Sequence, residues 1–184
     1  MSTNRFLGLL FLTALLSFAR CAGADSIPVT SAELRVEDEN VVLNAQFDVS
    51  LNPTLEEALQ RGLTLYFVLE FELTRPRWYW LDEKVVAQSV QYRVTYSPLT
   101  RQYRLQSGLL TQEIGPLEEL EHLLSRVIAR PVVPLDALTR GARYDAAIRL
   151  RLDVSQLPKP FQINALASRE WSLQSEWYRW SYTP

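Results

Sequence analysis

The sequence predicts a mainly β fold, an antiparallel β-sandwich of the immunoglobulin-like or a similar kind with two short helices. Three observations support this fold class. Apolar and polar residues alternate with a period of two along several segments, turn-forming residues separate those segments, and helical periodicity is confined to two short stretches. Because each alternating segment has one polar face, antiparallel pairing is favoured over a parallel sheet that is buried on both faces.

The clearest predicted strand covers residues 63–73, where every odd position is Leu or Phe and the even positions are Thr, Tyr, Val and Glu. Successive side chains of a strand point to opposite faces, so this segment buries one face. Residues 38–40 and 97–100 supply turns between predicted strands. Seven or eight strands at this spacing indicate a sandwich. The same alternation predicts strands at residues 29–36, 41–49, 86–96, 102–109, 144–154 and 171–182.

Capping residues mark the two predicted helices. Asn52 is placed to cap the first helix, Pro53 occupies its first position, and the helix of residues 54–61 ends at Gly62. The second helix begins at Pro116. Its apolar face is formed by Leu117, Leu120, Leu123, Leu124 and Val127.

Prolines are predicted to limit regular structure in the second half of the chain. Pro131 and Pro134 prevent the second helix from continuing, because proline cannot donate a backbone hydrogen bond. The Leu-Pro-Lys-Pro segment of residues 157–160 predicts an extended bend.

The first 24 residues have the layout of a cleavable secretory signal peptide. Arg5 supplies a positive charge, residues 6–19 form an apolar run, and Ala22 and Ala24 are the small residues that a signal peptidase recognises. The apolar run of about 14 residues is shorter than the roughly 20 that cross a bilayer. We therefore expect cleavage after Ala24, a periplasmic protein that does not span the membrane, and a single sandwich domain comprising residues 25–184.

Cys21 and the overall charge bear on other classes of protein. Lipid anchoring at Cys21 is the less favoured alternative, because Arg20 stands where a lipoprotein signal has a small residue. Cleavage after Ala24 removes Cys21 together with two arginines, which leaves 17 basic and 21 acidic side chains and a formal net charge of −4. A mildly acidic chain without a basic run argues against nucleic-acid binding.

Three segments carry a resemblance to a known family: residues 65–84 (LYFVLEFELTRPRWYWLDEK), 96–105 (YSPLTRQYRL) and 155–166 (SQLPKPFQINAL). They resemble the bacterial domain-of-unknown-function family 4390, and the resemblance extends over nearly the whole chain after the signal peptide. It implies an exported bacterial protein, and it associates the chain with membrane sensor histidine kinases, whose genes often neighbour those of the family. It implies no activity and no site residues.

The sequence contains no recognisable catalytic or metal-binding constellation. The one histidine, His122, lies among acidic residues of a helix and is interpreted as a solvated surface residue, so neither a nucleophile–base pair nor a zinc site is expected. No Asp-rich loop has the spacing of a calcium site. Glu70, Glu72, Asp82 and Glu83 are candidate acids for glycoside hydrolysis, but such pairs are common on exposed sheet faces. We expect a protein that is not an enzyme and holds no cofactor.

The best candidate for a binding surface combines aromatic rings with guanidinium groups. Trp, Tyr and Arg dominate the energetics of protein interfaces, and flat rings also stack on sugars. In the alternative interpretation, Trp78 or Trp80 fills the space between the sheets, while Arg75 and Arg77 stack on rings or pair with Glu. The candidate residues are Arg75, Arg77, Trp78 and Trp80, with Trp177 and Trp180 as additional members.

A second candidate surface is basic and consists of Arg143, Arg149 and Arg151, which share one face of a predicted strand. These side chains are suited to binding an anionic group. In the favoured alternative they pair across the sheet with acidic side chains, namely Glu70, Glu72 or Asp153.

The leading functional hypothesis is an exported, non-catalytic binding module of the bacterial envelope. Its expected partner is an envelope or membrane protein, such as the periplasmic part of a membrane sensor. The first alternative is a protein that binds peptidoglycan glycans or acts weakly on them, using the same aromatic rings. The second alternative is a carrier for a small hydrophobic ligand inside the sandwich.

Overall fold

The computed structural model describes residues 26–79 and 82–184, which form two antiparallel sheets around a common core. The predicted mainly β sandwich is therefore confirmed. The segment predicted to be a signal peptide, including Cys21, lies outside the described residues. The strands are β1 (Val29–Glu37), β2 (Asn40–Phe47), β3 (Leu65–Arg75), β4 (Glu83–Ser97), β5 (Gln102–Ser107), β6 (Leu110–Ile114), β7 (Arg126–Pro134), β8 (Tyr144–Leu152) and β9 (Tyr178–Tyr182). The helices are α1 (Pro53–Gln60), α2 (Leu117–Leu124) and α3 (Lys159–Ala167).

The larger sheet has the strand order β6-β5-β4-β3-β8-β9, and the smaller sheet has the order β1-β2-β7. The alternation along β3 and β8 sorts their side chains between two faces, so that apolar residues of both strands point towards the smaller sheet. Examples are Phe67 in β3 and Leu150 in β8, neither of which is exposed, and they face a core that also contains Val41 and Leu43 of β2. The opposite face of the larger sheet is polar.

The first helix begins and ends where the sequence predicts. The Asn52 side chain accepts a hydrogen bond from the backbone N–H of Leu55 at 3.0 Å, and Pro53 begins the helix. Gly62 follows with φ of 88°, a conformation that costs glycine least. Leu55 and Leu59 are buried, so α1 covers one end of the core. Among the described residues, no helix is long and apolar enough to cross a membrane.

The prolines caused the main errors of prediction. The second helix ends at Leu124, and Val127, which was predicted on its apolar face, instead belongs to β7. β7 can contain Pro131 and Pro134 because it pairs only with β2 and is an edge strand, a position in a sheet that tolerates proline. The bend predicted at residues 157–160 is confirmed only at Leu157, which is extended; the segment then enters α3 at Lys159, since proline fits the first turn of a helix.

The last predicted strand was too long. Residues 169–171 form a 3₁₀ turn, and regular pairing with β8 begins only at Tyr178. The strand β6 was not predicted, because its residues are mostly exposed and do not alternate between apolar and polar.

A bulge in β7 interrupts its pairing with β2. Ala129 has φ of 45°, in the left-handed region that an L-residue with a Cβ atom rarely adopts. The displaced backbone N–H of Ala129 donates to the Asn44 side chain at 2.9 Å, which satisfies a group that the sheet leaves unpaired. The bulge and the two prolines together make the outer edge of β7 irregular.

Candidate functional site

The loop between β3 and β4 carries an exposed pair of aromatic side chains. Trp78 is 94% exposed and Tyr79 is 65% exposed, and their rings meet edge to face with centroids 5.2 Å apart. Pro76, which has no N–H, follows the last residue of β3 and allows the chain to leave the sheet. The alternative that Trp78 fills the core is therefore wrong. Trp80 lies outside the described residues.

The two arginines of this loop differ in their contacts. The Arg77 guanidinium pairs with Glu83 at 2.5 Å, and the backbone N–H of Arg77 donates to the Asp82 carboxylate at 3.3 Å. The two contacts join the loop to Glu83, the first residue of β4, and to Asp82 just before it. The alternative in which arginine pairs with glutamate is confirmed for Arg77, so its charge is neutralised within the loop. Arg75 is half-buried at the end of β3.

The other predicted aromatic residues lie on opposite faces of the larger sheet. Trp180, on β9, contacts Phe71 and Tyr178 with ring centroids 6.4 and 5.8 Å away, and it packs against the core. Trp177 lies beneath the Arg149 guanidinium, whose central carbon is 4.6 Å from the ring centre. Among the described residues, the ring contacts of Trp177 and Trp180 are with Arg149, Phe71 and Tyr178 and not with Trp78 or Tyr79 of the β3–β4 loop.

The basic residues of β8 are neutralised on the polar face of the larger sheet. Glu70 of β3 accepts hydrogen bonds from Arg149 at 2.6 Å and from Arg151 at 3.2 Å, and Arg151 also reaches Asp153 at 3.4 Å. The register places Glu70 directly opposite Arg149, as cross-strand pairing requires. The predicted pairing of these arginines with Glu70 and Asp153 is confirmed, so neither is free to bind an anion.

The remaining charged candidates are also accounted for. Arg143 precedes β8 and lies 3.5 Å from Asp145, and Glu72 accepts a hydrogen bond from Lys84 at 2.8 Å rather than from an arginine of β8. His122 is exposed on α2, as predicted. In residues 26–79 and 82–184, no group of three or more His, Cys, Asp or Glu side chains could hold a metal ion.

The ion pairs change the acidity of Glu70. Burial alone would raise its pKa, but the hydrogen bonds from Arg149 and Arg151 outweigh burial and hold the pKa below the ordinary 4.5. Glu121 of α2 shows the opposite balance, because burial raises its pKa although it accepts a hydrogen bond from the backbone N–H of Leu51 at 2.7 Å.

The contribution of Glu70 to stability is expected to depend on pH. A carboxyl group whose pKa is lowered by folding stabilises the protein fully above its unfolded-state pKa, here 4.5, and loses that contribution as the pH falls through the lower folded-state value. Urea unfolding of the wild type and of Glu70→Gln at pH 7, 5 and about 3 would measure it. The difference between the two proteins should shrink below about pH 4.5; a difference that does not change with pH would contradict the prediction.

Trp171 was not singled out by the sequence as a core residue, although it is the most buried of the described tryptophans. It is only 7% exposed, and its ring lies 6.0 Å from that of Phe161. It also lines a cleft of about 580 Å³ at the end of β8, together with Arg151, Val154, Arg169 and Leu173. Its position in a 3₁₀ turn gives no periodic signal, which explains why it was missed.

The fold and the site define an antiparallel β-sandwich protein with an exposed aromatic loop. The chain belongs to the family described as "Domain of unknown function (DUF4390)", which matches residues 24–181. The resemblance seen in the sequence is thus confirmed. No curated protein and no solved structure matches the chain.

Proposed function

We propose that the chain is an exported, non-catalytic interaction module of the bacterial envelope, and that Trp78 and Tyr79 form the centre of its contact surface. Residues 25–184 would act as one periplasmic domain after loss of the signal peptide. The expected partner is an envelope or membrane protein, such as the periplasmic part of a membrane sensor.

The observation that carries this proposal is the 94% exposure of Trp78 beside the exposed ring of Tyr79. Covering an almost fully exposed tryptophan with a partner lowers the free energy of the complex. Truncating such a residue often weakens binding by about 2 kcal/mol or more. The Arg77–Glu83 ion pair holds the loop in place and neutralises its charge. Recognition by this loop would therefore depend on apolar contact more than on charge.

Trp78→Ala is expected to reduce capture of the partner about tenfold or more without unfolding the protein, because the side chain contributes little to the core. The measurement is crosslinking in cells that carry a C-terminally tagged chain, followed by affinity capture and mass spectrometry. Leu99→Ala is the matched control, since Leu99 is 97% exposed in the β4–β5 turn. Equal recovery by the wild type and Trp78→Ala, or loss with both variants, would contradict the proposed surface.

Glycan binding is the second candidate, because the exposed Trp78 ring is also free to stack on a sugar face. Pull-down of the purified protein with peptidoglycan sacculi distinguishes this candidate from protein binding. The candidate is wrong if sacculi neither retain the protein nor are cleaved by it. A bound hydrophobic ligand, the remaining alternative, stays a prediction that native mass spectrometry can test.

A further inference from the structure

The strand β4 is paired along only part of one edge. On one side it pairs with β3 along most of its length, from Glu83 to Val94, but on the other side β5 pairs only with residues 92–97. Residues 83–91 therefore have no strand paired with them on that side within the described part of the chain, although the Gln88 side chain donates a hydrogen bond to the backbone oxygen of Val132 in β7 at 2.8 Å. We call the uncharged part of this stretch, residues 85–91, the open edge of β4. Seven residues of strand span about 24 Å. Backbone N–H and C=O groups along such an edge are ready to pair with another strand.

The open edge lacks the features that protect the other sheet edges of this protein. Native sheets commonly guard their edges with charged residues, prolines, bulges or very short strands. Residues 85–91 read Val-Val-Ala-Gln-Ser-Val-Gln, without a charge or a proline. Protection is confined to the beginning of β4, where Glu83 and Lys84 are charged and the register with β3 shifts. The other edges carry Glu33, Arg35 and Glu37 in β1, Pro131, Pro134 and the Ala129 bulge in β7, Glu113 in the short β6, and Arg179 in the short β9.

The side chains beside the open edge define the chemistry that would fit it. Val86 and Val90 lie opposite Leu73 and Leu69 of β3, on the core side of the sheet, and both are only half-buried. On the polar side Ala87 and Ser89 are small and exposed. Gln88, opposite Phe71, lies between the two valines on the core side, and its amide is bonded to Val132 of β7. An added strand would meet apolar side chains at Val86 and Val90, and small or polar neighbours on the other face.

The two ends of the open edge are marked by exposed apolar side chains. The loop that carries Trp78 and Tyr79 precedes β4 at one end. The β5–β6 turn lies at the other end, where Ser107 pairs with Tyr92, and its Leu109 is fully exposed. A segment that follows the open edge would therefore extend towards the aromatic loop.

On the basis of the function proposed above, we infer that the open edge of β4 binds an extended, uncharged segment of the partner protein as an additional β-strand. The segment would contain about seven residues, with apolar side chains at alternate positions. Backbone hydrogen bonds would supply affinity, and Val86 and Val90 would select apolar side chains in the segment. A long hairpin is a poorer fit, because the β5–β6 turn closes one end of the open edge.

The test uses the purified protein and an end-capped heptapeptide that alternates threonine and valine. Amide hydrogen exchange is measured with and without this peptide, and a peptide of the same sequence with all its amides N-methylated is the control because it lacks backbone donors. The unmethylated peptide should slow exchange in residues 85–91 by roughly fivefold or more, while the methylated peptide should not. Exchange in β6, another edge strand, should not change.

Proline variants test the edge from the side of the protein. Consecutive N–H groups of a strand point to opposite edges, so one of Gln88→Pro and Ser89→Pro removes a donor from the open edge and the other disrupts pairing with β3. Gln88→Pro also removes the side-chain hydrogen bond to Val132, so Gln88→Ala, which keeps the backbone N–H, is its control and should retain protection. In the variant that keeps its far-ultraviolet circular dichroism spectrum, the peptide should no longer slow exchange in residues 85–91. In Gln112→Pro, which changes β6, the peptide should still slow exchange there. Should both variants unfold, the comparison of the two peptides still decides the question.

The inference is wrong if the unmethylated peptide does not protect residues 85–91, or if both peptides protect them equally. It is also wrong if the protein is a dimer and these residues are protected without peptide in a concentration-dependent way. The occupant of the open edge would then be a second copy of the chain. Failure of the proposed function looks different, because Trp78→Ala would then capture the partner normally while the open edge still binds the peptide. Conversely, if only the open-edge inference fails, Trp78→Ala loses the partner while the peptide leaves residues 85–91 unprotected.

Discussion

Trp171→Ala is expected to lower the free energy of unfolding by about 3–5 kcal/mol, whereas Trp78→Ala should change it by less than about 0.5 kcal/mol. The two side chains are chemically identical but differ in exposure, at 7% for Trp171 and 94% for Trp78. Removing the Trp171 ring leaves a cavity beside Phe161 and exposes the end of the core, while removing the Trp78 ring leaves only solvent.

Urea unfolding at pH 7, followed by circular dichroism, measures both changes in one series. Trp177→Ala, in which the ring contacts the Arg149 guanidinium, should give an intermediate loss of about 1 kcal/mol. Similar losses for Trp171→Ala and Trp78→Ala would show that the β3–β4 loop is packed against the sandwich. In that case Trp78 would be part of the core, and the proposed contact surface would be wrong.

Glu70→Ala is expected to lower the free energy of unfolding by about 2–3 kcal/mol at pH 7. The change leaves Arg149 without a carboxylate partner and Arg151 with Asp153 alone, and an uncompensated charge such as that of Arg149 costs about 3–5 kcal/mol when fully buried. The Glu70 side chain is 21% exposed and both arginine side chains are 28% exposed, so solvent screening reduces the cost.

Glu72→Ala is the matched control on the same face of β3. Glu72 pairs with Lys84, whose side chain is 54% exposed, so its loss should cost less than about 1 kcal/mol. The double variant Glu70→Ala/Arg149→Ala should lose less stability than the two single variants added together. The reason is that Arg149→Ala removes the guanidinium charge that Glu70→Ala leaves unpaired. An effect of Glu70→Ala no larger than that of Glu72→Ala would contradict this account.

The sequence was sufficient to predict those parts of the fold in which local pattern and tertiary structure agree. In β3 the period of two assigned each side chain to the correct face, and in α1 the cap at Asn52 and the glycine at Gly62 marked both ends. In both cases the physical cause lies within a few neighbouring residues. The same reasoning predicted that Arg149 pairs across the sheet.

Elements whose cause is tertiary could not be predicted in this way. Proline signals a break along the chain, but β7 accepts Pro131 because it lies at an edge, which depends on the order of strands. For the candidate site, the sequence identified Trp78 but not its exposure, since a tryptophan beside a predicted strand is equally consistent with core and surface. It also gave no sign that β5 stops short of the open edge of β4, which depends on the lengths of both strands.

The pairing of β3 with β8 has a consequence for how the chain reaches this structure. Glu70 and Arg149 are 79 residues apart in the sequence, and the contact between Asn44 and Ala129 spans 85 residues. Closing such long loops costs chain entropy before any contact compensates for it, so proteins dominated by non-local pairing fold on a time scale of milliseconds to seconds. Until β8 docks, the central strand β3 has one unpaired edge, and its face of leucine and phenylalanine side chains is incompletely covered. Refolding yield should therefore fall as protein concentration rises, since aggregation competes with the late docking of β8.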